Sequence, residues 1–141
     1  MSTVWLYEGK EWEFPEGFSH EDAYGFVYLI TNTKTNQKYV GKKFFWSRKT
    51  LPITKTRKRR KRMLVESDWQ KYWGSSKHLQ EDIDKYGQEN FTREILHFCK
   101  TKGECAYMEA KEQFDRDVLL TDDYYNGIIN CRIGGKSVKN L

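Results

Sequence analysis

From Lys42 to Arg62 the chain carries eleven basic residues and no acid, beginning directly after Tyr39-Val40-Gly41. Lysines and arginines at that density neutralise a polyanion, and on phosphates they give strong, salt-dependent and largely sequence-blind affinity. Tyr28 and Tyr39, one on each of two neighbouring strand-like runs, can project from one face and meet beside that segment. A phenol ionises near pH ~10 and is a poor base unless nearby cations stabilise the phenolate. A cation beside such a phenol could do that or hold a phosphate, and Lys42 follows Gly41 directly in sequence. Glu112 follows on a long helix apolar on two sides, which puts this carboxylate on a partly desolvated face. Its ordinary alternative is an ion pair with Arg116 at i+4.

The basic segment leaves 14 basic and 20 acidic side chains elsewhere, so the formal +5 of the 141 residues describes a cationic segment on an acidic body. That excludes a uniformly basic, histone-like coat. At 38% hydrophobic and 32% charged, the chain can bury one modest core, and residues 1–141 read as a single domain. No apolar run approaches the roughly 18–20 residues of a membrane span, and the N-terminus does not read as a signal peptide. Cys99, Cys105 and Cys131 are odd in number and lack CxxC spacing. This argues against a disulfide framework or a zinc site and makes a reducing cytoplasm the expected compartment. His78 and His97 read as ordinary surface or core histidines.

The elements that must position these groups follow from pattern. Residues 4–7 and 11–14 flank Glu8-Gly9-Lys10 as an accessory hairpin within residues 1–22. Residues 25–31 predict a strand, 32–37 a turn and 38–41 the returning strand. The basic insertion, residues 42–66, contains Pro52 and few apolar residues and reads as a loop or flap. Ser76 caps a helix running to Tyr86 and stopped by Gly87, with Leu79, Ile83 and Tyr86 on one face. Phe91–Cys99 predicts a third strand. Thr101-Lys102-Gly103-Glu104 is a capping box opening a helix over residues 103–119. Tyr107, Ala110, Phe114 and Val118 are its expected core stripe, with Cys105, Met108, Glu112 and Leu119 opposite. Residues 128–133 read as a last strand and 134–141 as a polar tail. The order ββ-α-β-α-β predicts an α+β fold, a small antiparallel or mixed sheet flanked by helices.

Phe26-Val27-Tyr28 and Tyr39-Val40-Gly41, ten residues apart, resemble the paired motif of the GIY-YIG nuclease superfamily, with Phe26 in place of the first glycine. Gly74-Ser75-Ser76, the helix ending in Tyr86-Gly87 and the strand from Phe91 are similar to the middle of phage freestanding, homing-type members. Glu112-Gln113-Phe114 resembles the family's metal-binding glutamate and its following aromatic, and Ile129-Asn130 resembles the closing asparagine. The matches keep the family's order across residues 25–133.

The resemblance implies a metal-dependent DNA endonuclease on a module with a central three-stranded, mostly antiparallel sheet. It implies Tyr39 as general base or water-orienting group, Tyr28 as phosphate or water positioner, and Lys42 as the adjoining cation. Glu112 would hold one Mg²⁺ or Mn²⁺, with Glu109 as the fallback ligand. Arg48 is the nearest match to the family's phosphate-neutralising arginine, but it is one residue short of the usual spacing. Arg57 or another arginine of the run up to Arg62 is the alternative. Tyr72, Ser75 and Asn130 are expected to support the site. Lys43, Lys55, Arg57, Lys58, Arg59, Arg60, Lys61 and Arg62 are expected to track DNA. One site cuts one strand, so a duplex break requires a homodimer or two encounters, in a bacterial or phage-infected cell. The competing reading is a non-catalytic nucleic-acid-binding protein on a degenerate nuclease fold, motivated by Phe26 and Arg48.

Overall fold

The computed structural model describes residues 4–56, 58–59, 61–130 and 132–141, with the backbone alone for Lys61. The antiparallel hairpin of β3 (Gly25–Asn32) and β4 (Lys38–Phe44) is its organising element. Seven of the eight β3 residues are buried, because this central strand is covered on both faces. On its other side β3 pairs antiparallel with β7 (Phe91–Cys99). β7 in turn pairs in parallel with β1 (Trp5–Tyr7), which carries the short β2 (Lys10–Glu11). The sheet is therefore five-stranded and mixed, in the order β2-β1-β7-β3-β4. The three strands expected from sequence form its antiparallel centre. The N-terminal hairpin extends the same sheet because β1 finds a partner edge on β7.

Alternation along β3 divides the core. Phe26, Tyr28 and Ile30 face an aromatic layer with Trp5, Phe45 and Trp69, closed by Leu79 and Ile83 of α1 (Lys77–Tyr86). Val27 and Leu29, with Val40, face Cys99, Cys105 and Val118 beneath α2 (Lys102–Asp115). Ser76 Oγ accepts from the Leu79 amide at 3.3 Å to start α1, and Gly87, at φ +91°, stops it. Thr101 Oγ1 accepts from the Glu104 amide at 3.1 Å to start α2.

Three expectations change here. α2 buries Cys105, Ala110 and Gln113, while Tyr107 and Phe114 are 40% and 61% exposed. Of the expected stripe Ala110 and Val118 are buried, whereas Cys105 and Gln113 take the sheet-facing places expected of Tyr107 and Phe114. Residues 128–130 form no strand; a parallel bridge between Lys38 and Tyr124 is what the closing segment contributes to the sheet. Residues 46–51 and 61–66 are not a flap: β5 (Trp46–Leu51) and β6 (Lys61–Glu66) pair antiparallel as a separate two-stranded sheet. A short helix, α3 (Gly135–Val138), ends the chain within the expected tail. Among the described residues no helix is long and apolar enough to cross a membrane.

Among the described residues one charge is fully enclosed. Arg93 of β7 is 1% exposed, with its guanidinium 4.6 Å from the Trp5 ring and 4.2 Å from Trp73. It donates to the carbonyls of Gln70 and Tyr72 at 3.1 and 2.7 Å. Burial lowers its pKa to about 10, so it stays protonated at neutral pH. It pins the turn that carries Tyr72 to the sheet. Arg93→Ala strips the Gln70 and Tyr72 carbonyls of their donor and empties the slot between two indoles. The expected loss is about 2–4 kcal/mol of unfolding free energy, read from denaturant midpoints.

Candidate active site

The β3–β4 register places Gly41 directly opposite Tyr28, and Tyr39 opposite Ile30. Tyr28 and Tyr39 are therefore diagonal neighbours on one face, within reach of aromatic side chains, and their ring centroids lie 6.2 Å apart. A Cβ at residue 41 would meet Tyr28 Cζ at 2.6 Å and Tyr39 Cε2 at 2.9 Å. Only glycine lets the Tyr28 ring lie across β4. Tyr72 packs edge-on against Tyr28 at 6.0 Å. Gly74, at φ +84°, brings the next turn over both tyrosines, where Ser75 Oγ lies 3.4 Å from Tyr39 Oη.

The second half of the site comes from the opposite face of the sheet. Lys42 follows Gly41 and so points toward α2, where its Nζ meets Glu109 Oε1 at 3.2 Å. At 100° per residue Glu109 lies between Cys105 and Gln113 on the buried side of α2. β4 is the last strand of its sheet, so groups from both faces converge around its edge. Two adjoining hollows of about 340 Å³ each share Tyr39, Lys42, Ser75 and Glu109. One also includes Tyr28, Lys43 and Tyr72; the other includes Gln113, Asn126 and Asn130. Lys43 Nζ is 2.6 Å from Asp68 Oδ1 and 4.2 Å above the Tyr72 ring.

Titration follows this enclosure. Tyr28 is raised well above the ordinary phenol value, first by burial and then by the neighbouring Tyr72 and Tyr39. Burial also raises Tyr39, against the Ser75 hydrogen bond, which lowers it. Burial raises Glu109 despite the opposing Lys42 ammonium. Both tyrosines are thus phenols at neutral pH.

Several sequence candidates lie elsewhere. Glu112, the first-choice metal ligand, is bound to His97 Nε2 at 2.8 Å and to Arg116 Nε at 2.9 Å. Burial raises its pKa, but these two hydrogen bonds outweigh that and leave it lowered. It sits on the flank of α2 over β7, whereas Glu109 faces β4; the structure brings Glu109, not Glu112, to the tyrosines. Arg48 is exposed on β5, where it lines a separate groove with Arg62, Met63 and Leu64. Among the described residues Lys42 and Lys43 are the cations lining the two hollows. Lys55, Lys58, Arg59 and Arg62 are exposed on the β5–β6 segment. Arg57 and Arg60 lie outside the described residues, as does the side chain of Lys61.

Sequence reasoning missed Asn126. Its side chain pairs with the Val40 backbone like a strand, accepting from N–H at 3.0 Å and donating to C=O at 2.8 Å. Gln113 Nε2 donates to the same carbonyl at 3.1 Å. Together they satisfy the outer edge of β4 one residue before Gly41. The available signal was an Asn-Gly pair, Asn126-Gly127, following two tyrosines; it reads as a turn and hides the brace.

Gly41→Ala is expected to displace Tyr28 and lower stability by about 1–3 kcal/mol, as overpacking does. Gly134→Ala, with open space around its Cα, serves as the control and keeps the wild-type melting midpoint. Equal midpoints for both variants would contradict the close approach of Tyr28 to Gly41.

The family model described as "Putative endonuclease segE, GIY-YIG domain" matches residues 5–129. The chain is 34% identical over 103 residues to "Putative endonuclease segE" of Enterobacteria phage T4, an alignment covering 73% of this chain and 40% of that protein. It is 37% identical over 65 residues to "Putative endonuclease segD" of the same phage, covering 46% of this chain and 27% of that protein. The chain thus spans well under half the length of these curated relatives. No solved structure matches it.

Proposed function

Because the chain belongs to the segE-type GIY-YIG endonuclease family, we propose that it hydrolyses DNA phosphodiester bonds in the cleft at the edge of β4. The observation that carries this reading is the convergence of Tyr28, Tyr39, Lys42 and Glu109 from two sheet faces on one open edge.

The donors at that edge fit a single hard cation. Glu109 is one carboxylate beside hollows roomy enough for water and a phosphate, and Mg²⁺ commonly takes one or two carboxylates plus water and substrate oxygens. Among the described residues no cluster of three or more His, Cys, Asp or Glu offers a competing site. Bound at Glu109, Mg²⁺ or Mn²⁺ supplies charge neutralisation on the phosphoryl group and on the leaving oxygen.

The protein's own groups divide the remaining work. Tyr39, kept protonated by burial, orients the attacking water through its hydroxyl, with Ser75 fixing that hydroxyl. Of the two roles the motif allows, water orientation suits a phenol of raised pKa better than proton abstraction. Tyr28 offers a buried phenol donor at the cleft floor. Lys42 exchanges its Glu109 partner for the incoming phosphate and frees the carboxylate. Lys43, held by Asp68 at the rim, takes the neutralising role expected of Arg48, which lines a separate groove. One cleft cuts one strand, so a double-strand break requires a second copy or a second encounter.

Supercoiled plasmid incubated with Mg²⁺ is expected to be nicked by the wild type and preserved by chelator. Glu109→Gln is expected to lose about a hundredfold or more in rate, and Glu112→Gln only a few-fold. If the wild type nicks nothing in Mg²⁺ or Mn²⁺, the non-catalytic binding protein becomes the better account. Full loss in Glu112→Gln with activity retained in Glu109→Gln would return the ligand to Glu112.

The raised pKa of Glu109 sets a pH dependence. Its carboxylate is lost as pH falls through a value higher than an ordinary glutamate's. Cleavage and Mn²⁺ affinity should therefore fall together on the acid side, starting at higher pH than carboxylate titration in a free peptide. Affinity that holds constant while cleavage falls would assign the acid limb to another group.

A further inference from the structure

Residues 47–65 contain no aromatic and no acidic side chain, in a chain that is 16% aromatic and has 20 acids. This stretch holds most of β5 and β6, which pair one for one from Trp46↔Glu66 to Leu51↔Lys61. Because opposite residues share a face, Arg48, Thr50, Arg62 and Leu64 lie on one side of the ribbon and Lys49 and Met63 on the other. Cationic side chains thus leave both faces, and Lys55, Lys58 and Arg59 are exposed around the tip.

The root of the ribbon is fixed. Trp46 donates from Nε1 to the Ala23 carbonyl at 3.0 Å and stacks on Phe14 at 5.3 Å. On the other strand Ser67 Oγ donates to Phe44 O at 2.6 Å, and Glu66 accepts from Trp69 Nε1 at 2.9 Å. Trp46, Ser47 and Ser67 line the same hollow as Tyr28 and Tyr39. The ribbon therefore starts at the lip of the cleft and holds a set direction from it.

We propose that β5–β6 lies in the major groove of duplex DNA beside the phosphate held in the cleft, and so fixes how the duplex is set against the cleft. This rests on the DNA reading above. Two strands about 4.8 Å apart and six residues long make a ribbon about 20 Å in length. A two-stranded ribbon enters the major groove, roughly 12 Å wide, whereas the minor groove is about 6 Å wide. Cations on both faces meet the phosphate walls on both sides of the groove. Exposed Met63 offers an apolar surface of the kind that meets thymine methyls. A single strand would instead be gripped by stacking its bases on aromatic side chains, which the ribbon beyond Trp46 lacks.

The test measures binding by fluorescence anisotropy in chelator, so that no cutting intervenes. The wild type is expected to bind a duplex oligonucleotide at least about tenfold tighter than either separate strand. Methyl green, a major-groove ligand, should displace it, and netropsin, a minor-groove ligand, should not. The Lys49→Gln/Arg62→Gln variant, shown to be folded by its melting curve, should lower the slope of log affinity against log salt by about two. Equal or tighter binding to single strands, displacement by netropsin alone, or an unchanged salt slope would each overturn the assignment. A chain that binds duplex in this way but nicks nothing overturns the nuclease reading and leaves the ribbon standing. Nicking with an unchanged slope in the double variant does the reverse.

Discussion

The chemistry of this fold depends on one cross-strand pair, Tyr28 opposite Gly41. Tyr28 is planted in the aromatic layer against Trp5 and Phe26 and is 1% exposed. A phenol held so deeply would ordinarily be a core residue and nothing more. Its hydroxyl reaches the cleft because the residue across the ladder has no Cβ, so the ring crosses β4 where another side chain would stand. The same register sets Tyr39 on the diagonal, and Gly74 can then lie over both rings. The low-dielectric setting that fixes these phenols also keeps them protonated.

An edge strand makes the rest possible. In a strand flanked on both sides, groups on opposite faces never meet, because the backbone separates them. β4 has one neighbour within its sheet, so Tyr39 from one face and Lys42 with Glu109 from the other converge around its rim. That geometry leaves unpaired backbone, which is a hazard at any sheet edge. Here Asn126 and Gln113 satisfy Val40 with side-chain amides, and Tyr125 N donates to Lys38 O at 2.7 Å. The edge is covered up to the residue before Gly41 and given over to the cleft beyond it.

Which parts of this were legible in the sequence follows from what is local. The β3–β4 hairpin, the Ser76 and Thr101 caps, and the pairing of Tyr28 with Tyr39 each depend on a few adjacent residues, and composition within that window decides them. The phase of α2 does not. Tyr107 and Phe114 are the largest apolar residues on that helix, so periodicity pointed them inward. The space between α2 and the sheet holds Ala110 as expected but admits Cys105 and Gln113 in place of the two aromatics. The assignment of Glu112 rests on the resemblance of Glu112-Gln113-Phe114 to a family motif, and only the packed phase of the helix distinguishes it from Glu109 three residues earlier. The ribbon was hidden for a related reason. Like charges at successive positions erase the polar–apolar alternation by which a strand is recognised, while the pairing that creates it joins residues up to 20 apart in sequence.

Charge and aromaticity are segregated along this chain, and the segregation separates affinity from reaction. Both cleft lysines already hold carboxylates, Lys42 with Glu109 and Lys43 with Asp68. The Asp68 side chain is 71% exposed, so that pair is a surface ion pair, worth little and easily exchanged. Free phosphate in solution must displace these partners unaided. A phosphate belonging to a polymer held, as proposed, by the β5–β6 cations would arrive at high effective concentration and do so readily. The aromatic box at the ribbon's root makes that delivery directional, because Trp46 and Trp69 tie the ribbon to the layer that holds Tyr28. On the proposed reading the cationic segment would act through its fixed attachment to the cleft: a freely jointed tail of equal charge would bring the same polymer near without aligning any one phosphate with Glu109.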